Sequence, residues 1–216
     1  MPIVTRAIIL ANLFAFMYEL SLGESMPEFL REWGVVPGRL FASLLGDTSL
    51  PVEVATLMTS MFLHGGWLHF IGNMWYLWIF GDNVEDRMGW LRYLAFYLAA
   101  GAVSALVHSA LLPASAIPTV GASGAIAGVL GAYAQAFPRA RVLTLIPIFF
   151  FFQVVAVPAL ILLGIWFLIQ FVSGTLSFGS GSGGVAWWAH IAGFVFGFIV
   201  MGLGSRRRPS RAEPVS

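Results

Sequence analysis

Apolar runs long enough to cross a lipid bilayer recur along the chain, and they restrict its fold more than any other feature. A transmembrane helix needs about 20 consecutive apolar residues. Of the 216 residues, 59% are hydrophobic and only 10% are charged, whereas a soluble domain has about 25% charged residues. Too few charged side chains are present to cover a water-facing surface. The sequence therefore predicts an all-α, polytopic membrane protein.

Six of the apolar runs are predicted to form transmembrane helices, and Pro147 and Pro158 obscure the start of the fifth. The intervening residues 23–65 mix charged and apolar positions, which is typical of short helices lying on the membrane surface. Residues 1–204 are predicted to form one membrane domain, and residues 205–216 a basic, proline-containing cytoplasmic tail. The predicted helices are residues 6–22, 66–85, 89–111, 121–137, 150–172 and 186–204.

The distribution of arginine predicts the orientation of these helices, because the chain contains no lysine. With six spans, Arg31 and Arg39 fall on one side of the membrane. By the positive-inside rule the other side is cytoplasmic, and it holds both termini. We therefore expect a multi-pass protein of the inner cell membrane in which helices 2, 4 and 6 begin at the outer face. The arginines on the cytoplasmic side are Arg6, Arg87, Arg92, Arg139, Arg141, Arg206, Arg207, Arg208 and Arg211.

Four polar residues lie within about two turns of the outer end of an even-numbered predicted helix. His69 and Asn73, four residues apart, share one face of helix 2. Ser123 begins helix 4, and His190 lies one turn into helix 6. Polar groups are costly inside a bilayer, so each indicates a function. A serine and a histidine at one depth indicate a nucleophile and its general base; the alternative is that Ser123 is a simple N-cap.

The orienting carboxylate of a catalytic triad is not evident in the sequence. No Asp or Glu occurs between Asp86 and Glu213, and nothing links Glu19 of helix 1 to His190. The sequence therefore predicts a Ser–His dyad rather than a triad. Unpaired backbone N–H groups at the start of helix 4 favour developing negative charge beside Ser123.

Histidines could instead bind a metal, and His64, His69 and His190 are the candidates. An H-E-x-x-H motif is missing, and so is a carboxylate that could act as base. We therefore predict no metal and no other cofactor, with structural or interfacial roles for His64 and His108. The net charge of +1 gives no reason to expect a nucleic-acid partner.

Small residues four apart occur in helices 4 and 6, beside Ser123 and His190. Helix 4 has Gly124 and Gly128, and helix 6 has Ala189, Gly193 and Gly197. Such stripes allow helix backbones to approach closely in lipid. We therefore expect helices 4 and 6 to pack together and bring the serine within hydrogen-bond reach of the histidine.

In three separated segments the chain resembles the rhomboid family of intramembrane serine proteases. The segments are residues 64–73 (HGGWLHFIGN), 121–125 (GASGA) and 189–193 (AHIAG), and residues 82–89 (DNVEDRMG) are similar to the family's segment after the second helix. The resemblance implies a rhomboid-like bundle of six transmembrane helices with a water-filled cavity open to the outer face. It implies cleavage of single-span membrane substrates within the lipid bilayer.

The resemblance also implies roles for individual residues. Ser123 would attack the substrate and His190 would activate it, while His69, Asn73 and the Ser123 amide would stabilise the oxyanion. Gly121, which has no side chain, would allow the substrate to approach Ser123 closely. The lid over the site would include residues 174–184, and residues 23–65 would form a lateral loop partly in the membrane. Several bacterial members carry a tyrosine that stacks on the histidine, and the corresponding residue here is Ala127.

Two other functions are considered. A rhomboid-like factor that binds membrane clients without cleaving them is the first alternative, although such proteins typically lack the serine or the histidine. A small transporter or channel that conducts protons through its histidines is the second. Acidic residues lining the helices would favour the transporter, and predicted helices 3 to 6 contain none.

Overall fold

The computed structural model describes residues 2–46, 50–148, 151–177 and 186–205. Six long helices form a bundle: α1 (Ile3–Ser21), α5 (Trp67–Met88), α6 (Trp90–Leu111), α7 (Ser123–Ala136), α8 (Ala159–Leu176) and α9 (Trp187–Ser205). Among the described residues, α1, α6, α8 and residues 187–204 of α9 are long and apolar enough to cross a membrane. The protein is an all-α polytopic membrane protein with one small sheet.

Helix α7 lies at the centre of the bundle. Every residue from Gly124 to Ala134 is buried, against α5, α6, α8 and α9. Its 14 residues extend about 21 Å at 1.5 Å per residue, which is less than the ~30 Å of the hydrocarbon core. Helix α7 is therefore a short central helix, and Ser123 is its first residue.

Two buried glutamates attach α1 to the rest of the bundle. At its N-terminus, the Glu85 carboxylate of α5 accepts hydrogen bonds from the N–H groups of Val4 (2.9 Å) and Thr5 (2.7 Å) and from the Thr5 hydroxyl (2.8 Å). Near its C-terminus, Glu19 accepts the N–H of His64 at 3.0 Å. A carboxylate at a helix N-terminus satisfies orphan N–H groups and the helix dipole. Both ends of α1 are therefore fixed by hydrogen bonds to buried carboxyl groups.

Short helices form the segment between α1 and α5, as the mixed composition of residues 23–65 predicts. They are α2 (Met26–Trp33), α3 (Pro37–Leu44) and α4 (Leu50–Thr59), with 3₁₀ turns at Gly23–Ser25 and Ser60–Phe62. An ion pair of 3.2 Å joins Arg39 to the buried Glu53, and a β-bridge pairs Val35 with Thr119. The segment is thus packed against the α6–α7 connection. Its placement on the bilayer surface stays a prediction.

The predicted fifth helix begins later than expected. Residues 150–172 were predicted as helix, but β1 (Arg141–Ile148) and β2 (Phe151–Pro158) form an antiparallel hairpin, and α8 starts only at Ala159. Valines 154, 155 and 157 favour a strand. Pro158 disfavours helix at the residue before it and is tolerated at the start of the helix that follows. The correction moves the start of this helix by nine residues and extends it to Leu176.

The other helices lie within a few residues of their predicted bounds. The predicted lid at residues 174–184 falls largely outside the described residues, as does almost all of the predicted tail at residues 205–216.

Candidate active site

Ser123 and His190 meet where α7 and α9 begin. The Oγ atom of Ser123 lies 2.8 Å from Nε2 of His190, a hydrogen-bonding distance. Ser123 is the first residue of α7, and His190 is in the first turn of α9 and buried. Two of the sequence-predicted residues are therefore in direct contact.

The close approach of α7 and α9 depends on residues without side chains. A Cβ atom on Gly197 would collide with the carbonyl of Gly128, and one on Gly193 would collide with the carbonyl of Gly124. A Cβ on Gly128 would lie 2.6 Å from that of Ala100 on α6. The predicted packing of the two small-residue stripes is confirmed. This packing sets the separation of the serine and the histidine.

A glutamine from α8 contacts the other ring nitrogen of the histidine. Oε1 of Gln170 lies 2.7 Å from Nδ1 of His190, and Gln170 is only 6% exposed. Gln170 is not among the residues predicted from the sequence, where only Asp and Glu were candidates for the group that orients the histidine. A signal was present, since Gln170 is a polar side chain in the middle of an apolar span.

Aromatic rings from two helices enclose the imidazole. The ring of Trp166 on α8 lies 6.0 Å from that of His190 at an angle of 33°, and the ring of Trp187 lies 6.4 Å away at 86°. Ala127, at the position of the tyrosine in several bacterial members, is fully buried in α7. Ala127 has no ring that could stack on His190, and the aromatic contacts of the imidazole come from Trp166 of α8 and Trp187 of α9.

Of the residues predicted for the oxyanion site, Gly121 and His69 lie close to Ser123, and Asn73 lines the same cavity as Ser123. A Cβ atom on Gly121 would lie 2.6 Å from Nε2 of His69 and 3.5 Å from the Ser123 hydroxyl. Gly121 has φ of +123°, a conformation that favours glycine. Nδ2 of the buried Asn73 has no hydrogen-bond partner among the described residues. A buried, unused donor is costly, and because Asn73 lines the same cavity as Ser123, it is available to bind an anionic oxygen there.

These side chains line one cavity of about 730 Å³. Polar groups of His69, Asn73, Ser123 and His190 form one part of its wall. The apolar part of the lining includes Tyr76, Ile126, Leu130 and Trp166. An apolar cavity with a few convergent polar groups is the usual form of a ligand or substrate site.

The two remaining histidines have different surroundings. His64 is fully buried between Phe16 and Phe70 and lies outside the long helices. Burial, together with the neighbouring His69, lowers the pKa of His64 to about 3, so its imidazole is neutral at physiological pH. His108 was expected at the membrane interface. It is buried in the last turn of α6 and lines the cavity, and its place at the interface stays a prediction.

Comparison with known proteins gives a family match over most of the chain. The Rhomboid domain family matches residues 51–207. The presenilin-associated rhomboid-like protein A, mitochondrial, of Danio rerio is 31% identical over 162 residues, which cover 74% of this chain and 40% of that protein. Rhomboid protease GluP of Bacillus subtilis (strain 168) is 35% identical over 125 residues, which cover 58% of this chain and 22% of that protein. The chain spans less than half the length of these relatives.

Proposed function

The chain belongs to the rhomboid family, and on that basis we propose that it is an intramembrane serine endopeptidase that cleaves transmembrane segments of membrane proteins. The observation that carries the proposal is the distance of 2.8 Å between Ser123 Oγ and His190 Nε2 on the wall of the cavity. A nucleophile in contact with a base, beside unused hydrogen-bond donors, is suited to acyl transfer.

The first half of the reaction forms an acyl-enzyme. Nε2 of His190 takes the proton of the Ser123 hydroxyl while Oγ bonds to the scissile carbonyl carbon, and the carbonyl electron pair moves onto its oxygen. The Ser123 N–H, His69 and Asn73 stabilise this oxyanion. When the intermediate collapses, the carbonyl re-forms, the C–N bond breaks, and His190 gives its proton to the leaving amine.

The second half releases the new carboxyl end. Water replaces the departed amine in the cavity, and Nε2 of His190 takes one of its protons as its oxygen attacks the acyl carbon. The same donors stabilise the second oxyanion. Collapse breaks the bond between carbon and Oγ, and the proton on His190 returns to Ser123. Neither half requires a cofactor.

The substrate must present an extended segment to the site. In an intact helix each backbone carbonyl accepts a hydrogen bond from the residue four positions later, and the helix surface shields it from a nucleophile. A transmembrane segment with helix-destabilising residues unwinds at lower cost, and the polar wall of the cavity provides partners for the freed backbone groups. The proposed substrates are therefore single-span proteins with a weak point in their helix.

The proposed orientation places the cavity towards the outer face of the inner cell membrane and both termini in the cytoplasm. Arginines follow the ends of the helices remote from the cavity: Arg87 and Arg92 flank the α5–α6 turn, and Arg139 and Arg141 follow α7. Clustered arginine favours the cytoplasmic side.

Purified protein reconstituted into liposomes with a fluorescent single-span reporter tests the proposed function. We expect two fragments whose new ends lie within the reporter's transmembrane segment, and none in liposomes without the protein. Capture of intact reporter without cleavage would overturn the proposal in favour of a factor that binds membrane clients.

A further inference from the structure

Gln170, His190 and Ser123 form a chain of two side-chain contacts, with the imidazole of His190 in the middle. Oε1 of Gln170, Nδ1 and Nε2 of His190, and Oγ of Ser123 are joined by distances of 2.7 and 2.8 Å. We propose that Gln170 is a positioning residue, whose carbonyl oxygen accepts the Nδ1–H of His190 and so holds the Nε2 lone pair towards the Ser123 hydroxyl. This inference rests on the proposed function.

The tautomer of the histidine determines whether it can act as a base. A neutral imidazole carries one N–H, and the nitrogen that faces the serine must be the unprotonated one. An acceptor at Nδ1 favours the proton on that nitrogen. If the amide of Gln170 were turned so that its NH₂ group met Nδ1, the proton would lie on Nε2 and the histidine could not accept from Ser123.

An amide suits this position better than a carboxylate because the site is buried among apolar helices. Gln170 is on α8, a helix without any ionisable side chain. An ionised carboxylate here would be a buried charge without a cation beside it, which is strongly unfavourable within a membrane. The amide oxygen orients the ring and attracts the transient imidazolium through its dipole while adding no net charge.

The neighbours of Gln170 fix its position on α8. The buried positions of α8 are Ala159, Leu163, Gln170 and Gly174. Trp166, one turn before Gln170, presents its ring to the imidazole. A Cβ on Gly174 would lie 3.2 Å from that of Trp187, so α8 and α9 are in close contact one turn beyond the glutamine. Helix α8 therefore contacts His190 through two side chains, Gln170 and Trp166.

The test compares Gln170→Met, which keeps the side-chain length but removes the acceptor, with Gln170→Glu. Gln153→Met is the matched control, because Gln153 is exposed on the hairpin and is not among the residues that line the cavity. The probe is a fluorophosphonate, and the readout is the rate at which it labels Ser123 between pH 5 and 9. Ser123→Ala must remain unlabelled.

We expect Gln170→Met to be labelled about ten- to a hundredfold more slowly, as loss of a buried hydrogen bond to the base implies, and Gln153→Met at the wild-type rate. For Gln170→Glu we expect the acid limb of the pH–rate profile to move to higher pH by about one unit or more, because a buried carboxylate is stabilised when it shares a proton with the imidazole, and the pair therefore binds that proton more tightly. The other titratable groups that act on His190 are His69 of α5 and His108 of α6. Both are unchanged in every variant.

Wild-type labelling of Gln170→Met, or an unmoved acid limb in Gln170→Glu, would overturn the positioning role while leaving the proposed function intact. A folded wild type that fluorophosphonate does not label would instead contradict the proposed function itself. If Gln170→Met fails to fold, ¹⁵N spectra of histidine in the wild type decide. A proton on Nδ1 of His190 supports the inference, and a proton on Nε2 overturns it.

Discussion

Ser123 and His190 are 67 residues apart in the chain, yet their Oγ and Nε2 atoms are 2.8 Å apart. The contact exists because α7 and α9 pack backbone to backbone, with the carbonyl of Gly128 directly against Gly197. Because helix packing holds Ser123 and His190 together, the distance between them depends on the separation of α7 and α9. This sensitivity gives the first prediction.

Gly197→Ala is expected to separate α7 from α9 and to slow cleavage more than tenfold, because its methyl group has no space beside Gly128. Overpacking of this kind costs about 1–3 kcal/mol, so the thermal midpoint in detergent should also fall. Gly164→Ala is the matched control, since a Cβ at Gly164 of α8 meets nothing within 4 Å. Equal cleavage rates for the two variants would contradict the packing argument.

Asn73→Ala is expected to lower kcat by about 10²–10³-fold, the typical effect of removing one oxyanion donor. The Nδ2 group has no partner among the described residues, so its loss should change the thermal midpoint little. Steady-state kinetics and a melting curve measure the two effects. Asn83→Ala, an exposed asparagine further along the same helix, should behave as wild type. A kcat for Asn73→Ala within twofold of wild type would remove Asn73 from the oxyanion site.

Glu85→Gln is expected to destabilise the protein by about 2–3 kcal/mol, as weakening hydrogen bonds to a buried charged group implies. The amide retains one acceptor oxygen but directs an NH₂ group at N–H donors of α1. The comparison is with Asp86→Asn, an exposed neighbour, by thermal unfolding in detergent. Identical midpoints for the two variants would show that the carboxylate does not anchor α1.

Because His64 is buried in its neutral form, we expect the folded protein to lose stability in acid. The folded-state pKa is lowered to about 3 from the ordinary value of 6.5, so above pH 6.5 neither state binds the proton. Between pH 6.5 and 3 the unfolded chain binds it and the folded protein does not. Stability therefore falls with decreasing pH by about 1.4 kcal/mol per unit across this window.

His64→Phe keeps an aromatic ring at this position and cannot titrate. We expect its stability to fall less steeply than that of wild type between pH 6.5 and 4, measured by denaturation in detergent at each pH. Parallel curves for the two proteins would contradict a neutral, buried His64.

The parts of the site that follow from local sequence were predictable. Ser123 and His190 stand at the starts of recognisable apolar helices, and the parity of the spans places both at one end of the bundle. Gln170 was missed because its contact with His190 depends on how α8 rotates against α9. The periodicity of apolar residues along α8 does not specify that rotation.

The hairpin and the anchors of α1 could not be predicted for related reasons. A mostly apolar run such as residues 142–158, in which Thr144 and Gln153 are the polar residues, fits a buried helix as well as a strand, and periodicity does not separate the two. Glu19 and Glu85 bind backbone groups 45 and about 80 residues away. Such contacts arise only when the whole bundle is assembled.

The measurement that tests the central claim most directly is the initial rate of reporter cleavage by Ser123→Ala and His190→Ala in liposomes, with Ser173→Ala of α8 as the control. If Ser123 is the nucleophile and His190 its base, each single substitution should lower kcat by about 10⁴–10⁶-fold. The control should cleave at the wild-type rate. Cleavage by either Ser123→Ala or His190→Ala at the wild-type rate would contradict the proposed mechanism.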